Sequence, residues 1–244
     1  MPENVNNLDN IDKFVYFNDI TDIVSSEVAE HIKTIGYTPI SVDVDIDLID
    51  LTSEESFNNY LEPYKNNLIG AVLSNPPVTL MRGGIENATD EMWQNARDIF
   101  IAPIFNITQV IGKIFMQNQK GSIIYLNSIH AEKPIGNGFL YTACCAAVQG
   151  LCRESALIYG NKNVGCYNVM RGIVEGEEEF FASEYSSIHH SPELRFPKER
   201  LPSKKSLNEL CAFLLSGSAY ILNGSDLQAD EGFRLYYGKS GYYK

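Results

Sequence analysis

Residues 121–172 read GSIIYLNSIHAEKPIGNGFLYTACCAAVQGLCRESALIYGNKNVGCYNVMRG, and this stretch contains two strand patterns with a helix pattern between them. Gly121–Ser128 is a short apolar run with β-branched residues, which is typical of a buried strand. Residues 141–160 have many small residues and predict a helix, and residues 164–170 again predict a buried strand. A strand, a helix and a strand in this order predict a right-handed crossover between parallel strands.

The same alternation extends over the rest of the chain. We predict further strands at 13–17, 38–51, 67–75 and 225–230, and helices at 22–36, 52–61, 89–117 and 206–216. Together they predict an α/β fold: a doubly wound parallel sheet in a three-layer, Rossmann-like α/β/α domain over residues 13–233. Residues 1–12 form a predicted polar N-terminal arm. The tyrosine-rich residues 234–244 form a predicted C-terminal tail at an interface.

Composition narrows the possible functions. The 244 residues are 44% hydrophobic and carry a formal net charge of −12 at pH 7. Nucleic acids and anionic membrane surfaces attract basic proteins, so neither is an expected partner. We expect no membrane span and no signal peptide, and an odd count of five cysteines without metal-ligand spacing predicts reduced thiols in the cytoplasm. His189 and His190 with the acidic residues 177–179 fit no ligand spacing either, so no metal is expected.

Three motifs follow one another along the chain. Ser128 and Tyr141 are followed by CAAVQGLCRESALIYG, then by VGCYNVMRG and by FLLSGSAYILNGSDLQADEGF. In this order they resemble the catalytic strand and helix, the next strand and the C-terminal end of the short-chain dehydrogenase/reductase family. The resemblance implies a chemistry in which the Tyr hydroxyl exchanges a proton with the substrate oxygen while the nicotinamide of NAD exchanges a hydride with the adjoining carbon.

Two catalytic positions differ from that family. A free tyrosine has a pKa near ~10, and the family stabilises the phenolate with a lysine one helical turn after the Tyr. Cys145 occupies that position, and a neutral thiol cannot replace a cation. Phe100 stands at the position of a helical asparagine that helps to hold a proton-relay water, and its ring has no donor or acceptor. We therefore expect Ser128, Tyr141, Cys145 and Phe100 to be relic positions without a catalytic role.

The turn after the first strand also differs from the family. In the family this turn carries three glycines, which let backbone N–H groups approach the pyrophosphate at a helix N-terminus. The aligned segment FNDITDIVSSEVA has Asn18, Asp22 and Val24 at those positions. We expect the charge of Asp22 and the branched side chain of Val24 to oppose a phosphate there.

The nicotinamide side shows further departures. The family's Asn-Asn-Ala-Gly motif corresponds to Ser74, Asn75, Pro76 and Pro77, and a later Pro-Gly corresponds to residues 171–172, Arg-Gly. Ser74, Pro76 and Pro77 therefore join the degenerate cofactor positions. We expect this chain to bind no cofactor, with NAD carried by a partner subunit.

Active roles remain open for a few of these side chains. Ser128 and Tyr141 could form a hydrogen-bonding pair for a substrate oxygen, although we favour packing of the strand end and helix start as the reason for these two residues. His130 titrates near neutrality and could act as a base, but a loop histidine is more often solvated. Cys145, expected in the first turn of its helix, could be a nucleophile if a cation or the helix N-terminus lowered its pKa. A small residue filling the space of the lysine is the simpler interpretation.

The pattern as a whole resembles inactive subunits of heteromeric members of the family. The resemblance implies a heterotetramer (α2β2) with an active short-chain dehydrogenase paralogue that oxidises a hydroxyacyl-CoA with NAD. The apolar faces of residues 97–116 and 142–159 exceed what one sheet needs to cover, and they are the expected interface. Two alternatives stay open: a non-redox enzyme on the same scaffold, similar to halohydrin dehalogenases, and a stand-alone regulatory binding module.

Overall fold

The computed structural model describes residues 12–42, 51, 53–76, 81–134, 136–177, 193 and 196–235. Within these residues six strands form one sheet: β1 (Lys13–Phe17), β2 (Tyr37–Ser41), β3 (Leu68–Ser74), β4 (Gly121–Ser128), β5 (Val164–Arg171) and β6 (Asp226–Ala229). Most of the predicted arm and tail, residues 43–50 of the second predicted strand, Thr52, Pro77 and the pair His189–190 lie outside the described residues.

All neighbouring strands are parallel, in the order β2-β1-β3-β4-β5-β6. This topology confirms the predicted doubly wound sheet. The strand order reverses between β1 and β3, because β2 lies on one side of β1 and all later strands lie on the other. Ligands of such sheets bind in the crevice outside the carboxyl ends of the strands at this reversal.

Six α-helices flank the strands in the described residues: α1 (Ile23–Thr34), α2 (Glu54–Leu61), α3 (Asp90–Ala96), α4 (Ala102–Asn118), α5 (Phe139–Gly160) and α6 (Lys204–Leu215). Polar residues begin several of them. Ser53 Oγ accepts from Ser56 N at 3.3 Å, so Ser53 caps α2. The helix α5 begins at Phe139, two residues before its predicted start.

Two hydrophobic clusters lie on the two faces of the sheet and complete the three layers. One packs α2, α4 and α5 on one face, and the other packs α1 and α6 on the opposite face. Burial of one large apolar side chain contributes about 1.5–3 kcal/mol, so these clusters supply the main stabilisation of the fold. All five cysteines are free and buried, as predicted for reduced thiols.

The predicted long helix is interrupted by a wider turn. A π-helical segment, Arg97–Ile101, joins α3 to α4. The continuous stretch Asp90–Asn118 has 29 residues and a mean hydropathy of 1.6, which by length and composition could cross a bilayer. No membrane span was expected, and length and composition alone do not establish one, because the buried core helix of a globular protein passes the same test. Half of its most apolar window is buried in the structure, where Ile107 and Ile111 of α4 pack in the core with no exposed surface.

Candidate functional site

The predicted site residues converge on the carboxyl edge of the sheet. Asn18 follows β1, Ser74 ends β3 and Ser128 ends β4. The register pairs Ser128 with Arg171, the last residue of β5. The crevice between β1 and β3 and the ends of β4 and β5 therefore form one continuous surface.

Asn18 bridges the crevice at the reversal of strand order. Its Nδ2 donates to the carbonyl oxygen of Ser74 at 2.9 Å, and its Oδ1 accepts from Ser74 N at 2.7 Å. The side chain thus joins the end of β1 to the end of β3 with two backbone hydrogen bonds. A glycine at this position could make neither bond and would leave the crevice open.

Asp22 occupies the N-terminus of α1. Its Oδ1 accepts from Val24 N at 2.8 Å and from Ser25 N at 3.1 Å. An Asp before a helix satisfies N–H groups that have no partner within the helix, and its negative charge is favoured by the helix dipole. These N–H groups are the ones a pyrophosphate would use. The described residues therefore do not fit a dinucleotide at this end of the site.

Val24 does not act as the sequence suggested. Its side chain is only 2% exposed and packs in the cluster between α1 and the sheet, away from the crevice. The expected steric opposition to a phosphate is therefore misplaced, and Asp22 accounts for the departure. Ser74 bonds to Asn18, Pro76 is half-buried after β3, and Pro77 lies outside the described residues.

Ser128, His130 and Tyr141 form a compact group at the end of β4. Ser128 Oγ lies 2.7 Å from His130 Nδ1 and also accepts from His130 N at 3.2 Å. The His130 ring packs edge-on against Tyr141, with centroids 5.7 Å apart. Burial, with a smaller contribution from Arg171, lowers the pKa of His130 to about 4. The expectation of a solvated loop histidine was therefore wrong, and a base with this pKa is weak near neutrality.

Cys145 is fully buried in the second turn of α5, six residues after Phe139 begins the helix. Its placement in the first turn was therefore wrong, and the helix N-terminus does not activate it. Asn75 Nδ2 lies 3.5 Å from its Sγ. Burial raises the pKa of the thiol above its ordinary value, despite hydrogen bonds that favour the thiolate. A nucleophilic role needs the opposite shift.

Phe100 lies in the π-helical segment, fully buried, with its ring centroid 5.6 Å from that of Tyr141. The space beside the tyrosine is therefore occupied by an aromatic ring that can bind no relay water. A π-helical turn widens a helix locally and is frequent at functional sites.

Arg171 is the site residue that the sequence interpretation missed. Its Nη1 donates to both carboxylate oxygens of Glu177, at 3.0 and 2.9 Å. Burial opposes its charge, but Glu177 and smaller effects of Tyr141 and Asp22 leave the pKa of Arg171 raised. The sequence places a basic residue at the end of this strand, but its position beside Ser128 depends on the register of β4 and β5.

The environment of Tyr141 determines what this group can do. Burial and the neighbouring Cys145 raise the pKa of the phenol, and Arg171 lowers it by less. Tyr141 is therefore a neutral hydroxyl near pH 7, able to donate a hydrogen bond but poorly suited to give up a proton. The described residues contain no cluster of side chains that could hold a metal ion. Glu177, one of the acidic residues considered above beside His189 and His190, forms a salt bridge with Arg171.

The parallel sheet, the crevice at its reversal and the Ser–Tyr pair beside it define an α/β protein with a Rossmann-like oxidoreductase scaffold. Residues 12–234 match the family described as enoyl-(acyl carrier protein) reductase. The chain belongs to the short-chain dehydrogenase/reductase family.

Relatives of the chain are ordinary members of this family. It is 28% identical over 130 residues to L-xylulose reductase of Caenorhabditis elegans. The aligned residues cover 52% of this chain and 51% of the relative. The chain spans about half the length of the curated relatives it matches. The structure of ElxO with NADP bound superposes with a TM-score of 0.78 and 16% identity, covering 92% of this chain and 100% of ElxO. A structure described as a dehalogenation enzyme has a TM-score of 0.73 at 16% identity, covering 91% and 98% of the two chains.

Proposed function

We propose that the chain is a non-catalytic subunit on a short-chain dehydrogenase/reductase scaffold, which assembles with an active, NAD-binding paralogue. The observation that carries the proposal is the pair of hydrogen bonds from Val24 N and Ser25 N to the Asp22 carboxylate. A dinucleotide would have to displace this carboxylate from its two donors and accept its charge nearby. The raised pKa of Tyr141 supports the same conclusion for the proton-transfer step.

Exposed apolar side chains support assembly with a partner. Four of them, on the two helical segments expected at the interface, have exposed fractions between 46% and 77%: Ile99, Phe105, Leu157 and Ile158. The backbone at Gly150 of α5 faces open space, so a second helix could approach closely there. Apolar surface of this kind favours burial against another chain.

The substrate class follows from the resemblance in the sequence. The altered motifs resemble the inactive subunit of 2-[hydroxy(phenyl)methyl]succinyl-CoA dehydrogenase, a heteromeric enzyme of anaerobic toluene degradation. On this basis the partner is an active short-chain dehydrogenase in an α2β2 heterotetramer. That subunit would bind NAD and oxidise a hydroxyacyl-CoA.

Purification tests the assembly. The tagged chain, isolated from its native cells, is expected to carry a second short-chain dehydrogenase with an intact Tyr and Lys at a fixed stoichiometry. Gly150→Trp should abolish this association while the chain stays folded. Lys205→Trp on α6, whose side chain is 79% exposed, is the matched control and should leave the association intact. A homotetramer that catalyses a reaction alone would refute the proposal.

Cofactor binding has a separate test. Titration of the isolated chain with NADH, followed by nicotinamide fluorescence, is expected to show no saturable binding. A dissociation constant in the micromolar range would overturn the interpretation of Asn18 and Asp22.

A second candidate, a non-redox enzyme on the same scaffold, is favoured by Arg171. Halohydrin dehalogenases keep the Ser and Tyr and use a nearby cation, and Arg171 lies beside Ser128 and lowers the pKa of Tyr141 against burial. Such an enzyme would need Tyr141 as a tyrosinate, stabilised by Arg171, which would take the substrate hydroxyl proton while the hydroxyl oxygen displaces halide ion and closes the epoxide. Halide release from a vicinal halohydrin, lost in both Tyr141→Phe and Arg171→Gln, would favour this candidate over the first.

A further inference from the structure

A second cavity lies at the amino edge of the sheet, at the opposite ends of the strands from the relic site. Its volume is about 250 Å³. Lys13 begins β1, Tyr37 begins β2, and Lys120 and Gly121 stand at the start of β4. The cavity therefore shares no residue with the crevice described above.

The charge around this cavity differs from that of the whole chain. Two exposed lysines, Lys13 and Lys120, line it, and no carboxylate does. Within the described part of the chain neither lysine makes a salt bridge, although the net charge is −12. Two unpaired cations beside a concave surface favour an anion.

Aromatic side chains supply the walls. Tyr167 is only 1% exposed, and a Cβ at Gly165 would overlap its hydroxyl, so the glycine is needed to seat this ring. The Tyr220 hydroxyl donates to the carbonyl oxygen of Gly160 at 2.6 Å, which fixes the second ring. With Ile69 these two tyrosines contribute apolar lining to the cavity.

We propose that this cavity binds a small organic anion, with its carboxylate or phosphate group at Lys13 and Lys120 and an aromatic ring against Tyr220. The cavity is smaller than the range of about 300–1,000 Å³ that holds drug-sized ligands, so a single-ring compound fits its size better than a dinucleotide. The proposal does not depend on whether the chain assembles with a paralogue.

Amide NMR titration of the full chain tests the site with three probes of one shape. Benzoate and phenyl phosphate are expected to shift the amide resonances of Gly121, Gly165 and Gly217. Tighter binding of benzoate would identify a carboxylate site, and tighter binding of phenyl phosphate a phosphate site. Neutral benzamide should bind about fivefold to tenfold more weakly, because it lacks the charge-assisted hydrogen bonds to the lysines. Raising the salt concentration should weaken the binding of benzoate and leave the binding of benzamide unchanged.

Substitutions separate the site from general basicity. Lys13→Gln with Lys120→Gln should weaken benzoate by about fivefold to tenfold. Lys162→Gln, an exposed lysine on the same edge that does not line the cavity, should leave its affinity unchanged. Thermal unfolding of each variant checks that the fold is kept.

Three results would overturn the proposal. The first is equal affinity for benzamide and benzoate. The second is that Lys162→Gln weakens benzoate binding as much as the substitution of Lys13 and Lys120. The third is that amide shifts fall outside the cavity residues, or do not occur at millimolar concentrations of the probes.

Discussion

The turn after β1 and the end of β4 depart from the family in opposite physical ways. In the turn, Asn18 and Asp22 add polar contacts that use the backbone groups of the crevice. At the end of β4, Ser128 and Tyr141 stay in place while buried neighbours surround them. In the turn, Asp22 occupies the N–H donors at the start of α1. At the end of β4, burial removes water from the Tyr141 hydroxyl. Binding and proton transfer can therefore be opposed independently within one site.

The comparison assigns a different kind of sensitivity to each region. Contacts in the turn depend on individual hydrogen bonds, each worth about 1 kcal/mol. Packing beside Tyr141 depends on large buried side chains, each worth several kcal/mol when removed. Four substitutions sharpen this difference.

Phe100→Ala should have the largest effect. The ring is fully buried against Tyr141, so its removal leaves a cavity and is expected to lower the free energy of unfolding by about 3–5 kcal/mol. Urea denaturation of the isolated chain measures the loss. Ile99→Ala, at a neighbouring position that is 46% exposed, is the control and should cost far less. Equal losses would show that the packing around Tyr141 is not special.

Asn18→Gly should cost about 2–3 kcal/mol, because it removes both hydrogen bonds to the backbone of Ser74 and adds backbone freedom in the unfolded chain. Asn18→Ala removes the same bonds without the added backbone freedom, so it should cost about 0.5–1 kcal/mol less. Chemical denaturation of the two variants side by side provides the measurement. An unchanged stability in Asn18→Gly would contradict the bridging role.

His130 should make stability depend on pH. Its pKa in the folded chain is about 4, below the ordinary 6.5, so the unfolded state binds more protons between these values. The group's contribution is therefore complete above pH 6.5 and falls as the pH drops toward 4. We expect a loss of about 1–2 kcal/mol, reduced from the full linkage value because the ring is partly exposed.

His130→Gln provides the comparison for this pH dependence. The variant has no ionisable ring, so its unfolding free energy should fall less steeply than that of the wild type between pH 6.5 and 4. Parallel profiles for the two proteins would count against a buried neutral His130.

Asp22→Ala should have the smallest effect on stability, about 1 kcal/mol, the usual cost of removing a helix N-cap. The freed N–H groups of Val24 and Ser25 should then bind sulfate, so added sulfate should raise the unfolding temperature of this variant more than that of the wild type. Asp22→Asn keeps a capping oxygen and serves as the control without this gain. No difference between the two variants would show that the cap does not occupy the anion site.

Local patterns were sufficient for most of the fold. Apolar runs bounded by turns predicted β1 and β4 with their observed bounds, since such strands are buried on both faces. The capping role of Asp22 also has a local signal, an Asp directly before a helix. The start of α5 was two residues off because helix ends carry weaker signals than helix interiors.

The rest depends on contacts between distant residues. Asn18 and Ser74 are 56 residues apart, and no spacing rule links them. The proximity of Arg171 to Ser128 follows from the register of β4 and β5, which becomes known only when the sheet is assembled. The inward orientation of Val24 depends on how α1 packs on the sheet. A sequence pattern does not determine these placements.

The cap at the start of α1 has a consequence for any attempt to restore nucleotide binding. The Asp22 carboxylate is covalently held next to the N–H groups that a phosphate would use, so it competes with a nucleotide as a tethered ligand. Its effective concentration is at least in the millimolar range, on the order of that reached with short linkers. Dilution cannot remove this carboxylate, and its competition for the same N–H groups raises the apparent dissociation constant of a free nucleotide. On the proposed function, we expect that rebuilding the proton-transfer residues alone would not restore cofactor binding, and that Asp22 has to be replaced first.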